Sequence, residues 1–294
     1  MNDPLFKAVQ EGLRQCRFPI IAAAIFGSRA KGTATPQSDL DLLVLSNRIN
    51  PKPHRRGEDI AEIKKDLPKV PIDILLLTQE EAQSNFRNHN PLFLDLAHDG
   101  IVLLDDQGWM QRLTEEARNY VKEKGIRKTA SGWIFSVTRG LETYLSKVSN
   151  KDFALAMIKD GERDHCIGES LMSDGYFDKA VYHFQQAVEK CIKSILISMG
   201  VFEKTHFVGT VLLAHLDARV VPPEWRDELR KLAEMSLALE PEVNLSRYPG
   251  IIRDSLWIPL DEYERADAET AMKKSAHVVA AAKKFVAEWF SPAK

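Results

Sequence analysis

The chain has 294 residues, with 40 Lys and Arg against 42 Asp and Glu and a formal charge of −2. That length allows two domains, each with its own core, while the near-balance of charge argues against a long nucleic-acid footprint and favours a small-molecule or protein substrate. Cys16, Cys166 and Cys191 are far apart, with no C-x-x-C pair and no His cluster at zinc spacing, and read as reduced core thiols.

No apolar run reaches membrane-spanning length, and the start Met1-Asn2-Asp3-Pro4 lacks the basic and apolar regions of a signal peptide. A cytoplasmic protein with no membrane partner is expected. The apolar, β-branched run Ile20 to Phe26 predicts a buried strand, ended by Gly27, which tolerates a tight turn. Should the polar segment opened by Ser28 begin as a helix, the free N–H groups around Gly27 and Ser28, with the Ser28 hydroxyl, would suit phosphate oxygens. Arg29 and Lys31 carry charge that would offset a phosphate, and Gly32 and Pro36 punctuate the return.

The next strand is Asp39-Leu40-Asp41-Leu42-Leu43-Val44-Leu45. Its two carboxylates stand at i and i+2 and so share one strand face, with Leu40 and Leu42 on the other. Like charges this close repel unless a cation neutralises them, and carboxylate oxygens suit magnesium. The basic stretch Lys52 to Arg56, with Lys64, Lys65 and Lys69, is interleaved with Glu58, Asp59, Glu62 and Asp66 and reads as a solvated helix and loop. In Val70-Pro71-Ile72-Asp73-Ile74-Leu75-Leu76-Leu77 a lone Asp among apolar residues needs a partner. Beside Asp39 and Asp41 it would complete a three-carboxylate site for two divalent ions.

Gly27-Ser28-Arg29-Ala30-Lys31-Gly32, then Ser38-Asp39-Leu40-Asp41, then Asp73 resemble the signature of the DNA polymerase β-like nucleotidyltransferases, especially their small, kanamycin-type members. The resemblance implies an α/β domain with a small mixed sheet. It assigns Gly27 and Ser28 to the β and γ phosphates, with Arg29, Lys31 and Ser38 in the same nucleotide-binding segment. Asp39 and Asp41 would bridge two magnesium ions, and Asp73 would complete the catalytic metal site and draw the proton from an attacking hydroxyl. ATP or another NTP would be the substrate. The match extends to about Asp106, and the domain is expected over 1–108.

Helical periodicity takes over downstream. Trp109, Met110, Leu113, Ala117, Tyr120 and Val121 predict one linking helix and Ile134, Val137, Leu141, Tyr144, Leu145 and Val148 a second, within 109–149. Tyr176 to Met199 carries the strongest pattern, with Asp174 as N-cap and Gly200 as stop. A long last helix includes Ala271, Val278, Ala282, Phe285 and Trp289, so 150–294 reads as an antiparallel, all-α helical bundle. Gly175-Tyr176-Phe177-Asp178-Lys179-Ala180, continuing through Phe184 to Lys193, with Thr205-His206 and Ser246-Arg247-Tyr248-Pro249, resembles a HEPN domain fused to the transferase. HEPN ribonucleases carry an Arg followed after four to six residues by a His. The second half has no such pair, which argues against RNA cleavage.

The expected activity is transfer of a nucleoside monophosphate, AMP from ATP by preference, to a hydroxyl of a small molecule or protein, with release of pyrophosphate. A toxin–antitoxin-like regulatory module is the alternative. Gln185, Gln186, Glu189, Lys193 and His206 are candidates for an acceptor side, although Glu189 and Lys193 also form an ordinary i, i+4 surface pair. Arg247 and Tyr248 read as packing the bend at Pro249. The outer faces of the bundle leave a homodimer open.

Overall fold

Alternating leucine and β-branched runs build a sheet in the first unit of the chain, Met1–Gly125, and long helices dominate the second, Ile126–Lys294. The computed structural model describes residues 3–130, 132–145, 147–218 and 221–291, so Met1 and Asn2 lie outside the described residues. In the first unit the elements are α1 (Pro4–Gln15), β1 (Ala22–Phe26), α2 (Gly27–Lys31), β2 (Leu40–Leu45), α3 (Gly57–Lys65), β3 (Ile72–Leu77), α4 (Gln79–Arg87), α5 (Pro91–Asp99), β4 (Ile101–Leu104) and α6 (Trp109–Glu123). The sheet order is β3-β2-β1-β4. Strands β2 and β3 are parallel and the other pairs antiparallel, giving the expected mixed sheet.

Alternation along the strands decides which side chains meet. Leu40, Leu42 and Val44 of β2 join Ala23 and Ile25 of β1 and Ile72, Ile74 and Leu76 of β3 in a core against Phe6, Val9 and Leu13 of α1 and Ile63 of α3. Each Leu, Ile, Val or Phe side chain among them contributes roughly 2 kcal/mol by leaving water. Leu43 and Leu45, on the other face, are fully buried as well. The sheet is therefore covered on both sides, and the end of β2 that carries Asp41 is left for polar groups.

Arg56 departs from the expected solvated stretch. Its residue is 1% exposed. Its guanidinium donates to both Glu81 carboxylate oxygens at 2.7 Å, to the Leu76 carbonyl at 2.9 Å and to the Asn50 carbonyl at 2.8 Å. A buried charge persists when its donors are satisfied in this way. Glu81 also completes the capping box of α4 with Thr78. The Arg56 hydrogen bonds hold its carboxyl below the ordinary glutamate range, against the opposing effect of partial burial.

In the second unit come β5 (Arg127–Lys128), β6 (Gly132–Ile134), α7 (Asn150–Ser173), α8 (Phe177–Ser198), β7 (Val201–Glu203), α9 (Val208–His215), α10 (Arg226–Leu239), α11 (Glu242–Leu245), β8 (Gly250–Ile252), β9 (Ser255–Trp257), α12 (Pro259–Glu262) and α13 (Arg265–Trp289). The helical bundle is present as expected. It also carries a three-stranded sheet of order β5-β6-β7 and the β8–β9 hairpin, so the second half is not purely helical. The expected first linking helix forms as α6 within the first unit. The second does not form: Ile134 is in β6, Phe135 N–H donates to the Gly200 carbonyl at 2.8 Å and Gly140 N–H to the Trp289 carbonyl at 2.8 Å. Leu141 and Tyr144, counted as a helical stripe, are 62% and 57% exposed.

Helix α8 follows its predicted pattern, burying Val181, Phe184, Val188, Cys191, Ile192 and Ile195, with Gly200 at φ +78 beyond its end. Asp174 is not its N-cap. That residue closes α7, and Tyr176 stands at the N-cap of α8. No apolar stripe announces α7, because its contact positions include glycines. A Cβ on Gly168 would lie 2.6 Å from a Phe184 ring carbon, and one on Gly161 2.8 Å from Cys191 Sγ. Burial pushes the Cys191 thiol up to about 12. Cys16 is partly buried and Cys166 exposed, so only Cys191 fits the expected core thiol. Among the described residues, no helix is long and apolar enough to cross a membrane.

Candidate active site

Register brings the predicted carboxylates together from separate stretches of chain. Asp41 pairs with Phe26 at the end of β1 and with Asp73 across the parallel β2–β3 ladder. Neighbouring residues in such a ladder point to the same face, so Asp41 and Asp73 stand side by side, while Asp39 lies just before β2 and lines one pocket with Asp73. Asp39 and Asp73 are exposed and Asp41 is half-buried.

Gly27 follows β1 directly, at φ +69. A Cβ there would overlap Asp41 Oδ2 and lie 2.7 Å from its Cγ. Glycine is thus required both by the left-handed backbone and by the approach of the Asp41 carboxylate. The Ser28 carbonyl accepts from Thr33 N–H at 3.0 Å, closing the turn after α2, while the Ser28 hydroxyl has no partner among the described residues.

Arg29 and Ser38 hold the loop that delivers Asp39. Arg29 Nη2 donates to the Ser38 carbonyl at 2.6 Å, and Thr35 N–H donates to Ser38 Oγ at 2.9 Å. Ser38 thereby shapes the loop rather than presenting a free hydroxyl. Arg29 Nε is buried with no hydrogen-bond partner. Lys31 Nζ stands 3.9 Å from Asp99 of α5.

The chemistry of the donor set fits magnesium, which takes hard carboxylate oxygens. Among the described residues, however, no group of three or more His, Cys, Asp or Glu side chains stands close enough to hold a metal ion. The expected single cage is therefore brought together by backbone placement and not preassembled, as mutual repulsion between like charges dictates.

Beside Asp39 and Asp73 opens a pocket of about 530 Å³, walled by the α3–β3 connection with Lys64, Leu67, Lys69 and Val70. Sequence reasoning set these lysines aside with the solvated run. Nine and four residues before Asp73 in an acidic–basic stretch, they gave no signal of a shared cavity.

The five residues considered for an acceptor side do gather, within the second unit, around Glu189. This carboxylate is buried and accepts from Lys193 Nζ at 2.8 Å, with His206 Nδ1 at 3.0 Å, Gln185 Nε2 at 3.3 Å and Gln186 Nε2 at 3.4 Å. It is no surface pair. With its acceptor directions occupied, it reads as a closed network that ties the β7–α9 connection to α8. Arg247 lies over the rings of Tyr182 and Tyr248 at 5.0 and 4.9 Å, the packing role expected of it.

Comparison with known proteins places both halves. The nucleotidyltransferase domain family matches residues 9–93 and the HEPN domain family residues 154–285. A Methanocaldococcus jannaschii protein named "Putative toxin MJ1304" is 32% identical over 139 residues, 47% of this chain and 91% of that protein. Among solved structures, ST0689, an archaeal HEPN homologue, is similar at 25% identity and a TM-score of 0.34, over 45% of this chain and 97% of its own. A spectinomycin adenyltransferase from Enterococcus faecialis, solved with ATP and spectinomycin, is similar at 12% identity and a TM-score of 0.32, over 92% and 95%. The chain joins a nucleotidyltransferase domain at 9–93 to a HEPN domain at 154–285, and it belongs to the family of the M. jannaschii protein named as a putative toxin.

Proposed function

We propose that the chain transfers AMP from ATP to a hydroxyl and releases pyrophosphate, with Asp39, Asp41 and Asp73 holding magnesium. The observation that carries this reading is the meeting of Asp41 with both Asp73 and Gly27, three residues far apart in sequence. Magnesium bound there would reduce the charge on the α-phosphate and favour departure of pyrophosphate. Gly27 N–H and the unpartnered Ser28 hydroxyl contact the β and γ phosphates, and Arg29, with its Nη2 on the Ser38 carbonyl, adds positive charge to the same segment. Lys31, loosely paired with Asp99, adds positive charge nearby. The acceptor oxygen forms a bond to the α-phosphorus as the bridge to the β-phosphate breaks, and Asp73 accepts the hydroxyl proton.

Replacing Asp39 and Asp41 together by Asn tests the assignment. Pyrophosphate release and label transfer from α-labelled ATP are expected to vanish, while the fold is kept or stabilised because repulsion falls. Wild-type turnover in this variant would refute it. Incubation with each α-labelled NTP and cell extract then identifies base and acceptor.

The relative named as a toxin favours a second reading, a regulatory module that binds nucleotide without turnover and acts on a partner protein. It predicts a magnesium-dependent rise in melting temperature with ATP and no pyrophosphate release.

A further inference from the structure

We propose that the pocket beside Asp39 and Asp73 seats the acceptor, and that the acceptor is a small hydroxyl compound carrying an anionic group, phosphate or carboxylate, rather than a polycation. This rests on the transferase reading above. Sheet order separates the two substrates. In the order β3-β2-β1-β4, Gly27 and Ser28 at the end of β1 lie to one side of β2, and the pocket wall at β3 lies to the other. A nucleotide held at Gly27 and Ser28 leaves the β3 side, where Asp73 waits as proton acceptor, for the attacking hydroxyl.

The charges of the pocket say what kind of molecule enters. Asp39, Asp73, Lys64 and Lys69 all line it, and none has an ion-pair or hydrogen-bond partner among the described residues. The next lysine along, Lys65, does pair, with Glu62. Opposite charges that share a cavity without neutralising each other leave both signs for ligands: the carboxylates for cations, the ammonium groups for an anion. Leu67, Val70 and Ile72 add an apolar wall. A volume of about 530 Å³ suits a small molecule. A polycationic acceptor would instead face two unpaired ammonium groups.

The test uses the full chain with α-labelled ATP, magnesium and two matched series: glycerol, glycerate and glycerol 3-phosphate, then glucose, gluconate and glucose 6-phosphate, with kanamycin as the cationic comparison. An anionic member is expected to be labelled with kcat/KM about tenfold above its neutral counterpart, and the arms separate phosphate from carboxylate. The Lys64→Glu/Lys69→Glu variant removes that preference through the acceptor KM, and Lys64→Arg/Lys69→Arg restores it. No anion preference in either series, preference for kanamycin, or a charge-reversal effect that falls on the ATP KM overturns the proposal, the last by assigning the lysines to the triphosphate. Failure of the transferase reading looks different: pyrophosphate release that survives Asp39→Asn.

Discussion

Gly27→Ala isolates the contact on which the active-site geometry turns. Alanine at φ +69 carries the left-handed backbone penalty of about 1–2 kcal/mol. Its Cβ also overlaps the Asp41 carboxylate, and overpacking of that kind costs about 1–3 kcal/mol. The two together come to roughly 2–5 kcal/mol. In an Asp41→Ala background the two overlapping carboxylate atoms are gone and the one remaining of the three nearest atoms is the residue 41 Cβ, at 3.2 Å, so mainly the backbone penalty is left. The coupling between the two substitutions should thus be about 1–3 kcal/mol. Urea unfolding of the four proteins, with hydrogen exchange of the β1–β3 amides to assign the transition to the first unit, measures it. Gly27→Ala should also lose nucleotide transfer beyond its loss of folded protein, because the carboxylate is displaced. An equal penalty in both backgrounds would refute the reasoning, since Asp41 would then not be what the alanine meets.

Further outcomes follow from other contacts. Glu81 is held below its ordinary value by Arg56, so its contribution is present at neutral pH and declines as pH falls through that lowered value; Glu81→Gln should cost about 2 kcal/mol at pH 7 and flatten the acid limb of stability against pH, as denaturation at several pH values will show. Gly168→Val should weaken the second unit by about 1–3 kcal/mol, read from its urea midpoint, because Phe184 occupies the space a side chain needs. Chelation of magnesium should abolish transfer and lower the melting temperature, whereas magnesium added to Asp39→Asn/Asp41→Asn should leave that temperature unchanged.

The sequence by itself determined elements whose signal is local. Short apolar runs marked β2 and β3, a glycine after an apolar run marked the turn at Gly27, and period 3.6 marked α8 and α13. The sequence placed Asp39 and Asp41 on one strand face; in the fold β2 begins at Leu40, so Asp41 and not Asp39 is set by the strand. Tertiary structure alone decided the rest. Helix α7 hides its contact face in Gly161 and Gly168, which serve by lacking a side chain and therefore leave no apolar stripe. The run from Ile134 to Val148 has helical spacing, yet its backbone groups find partners at Gly200 and Trp289, far along the chain. Arg56 reads as one more charge in a polar run until the fold brings Glu81 and the Leu76 carbonyl to its guanidinium. Lys64 and Lys69 likewise share a cavity with Asp39 only because the parallel β2–β3 pairing folds the α3 connection back onto the strand ends. Periodicity records which face of an element is apolar; which distant charge it meets is set by strand order and register, and these are properties of the assembled sheet.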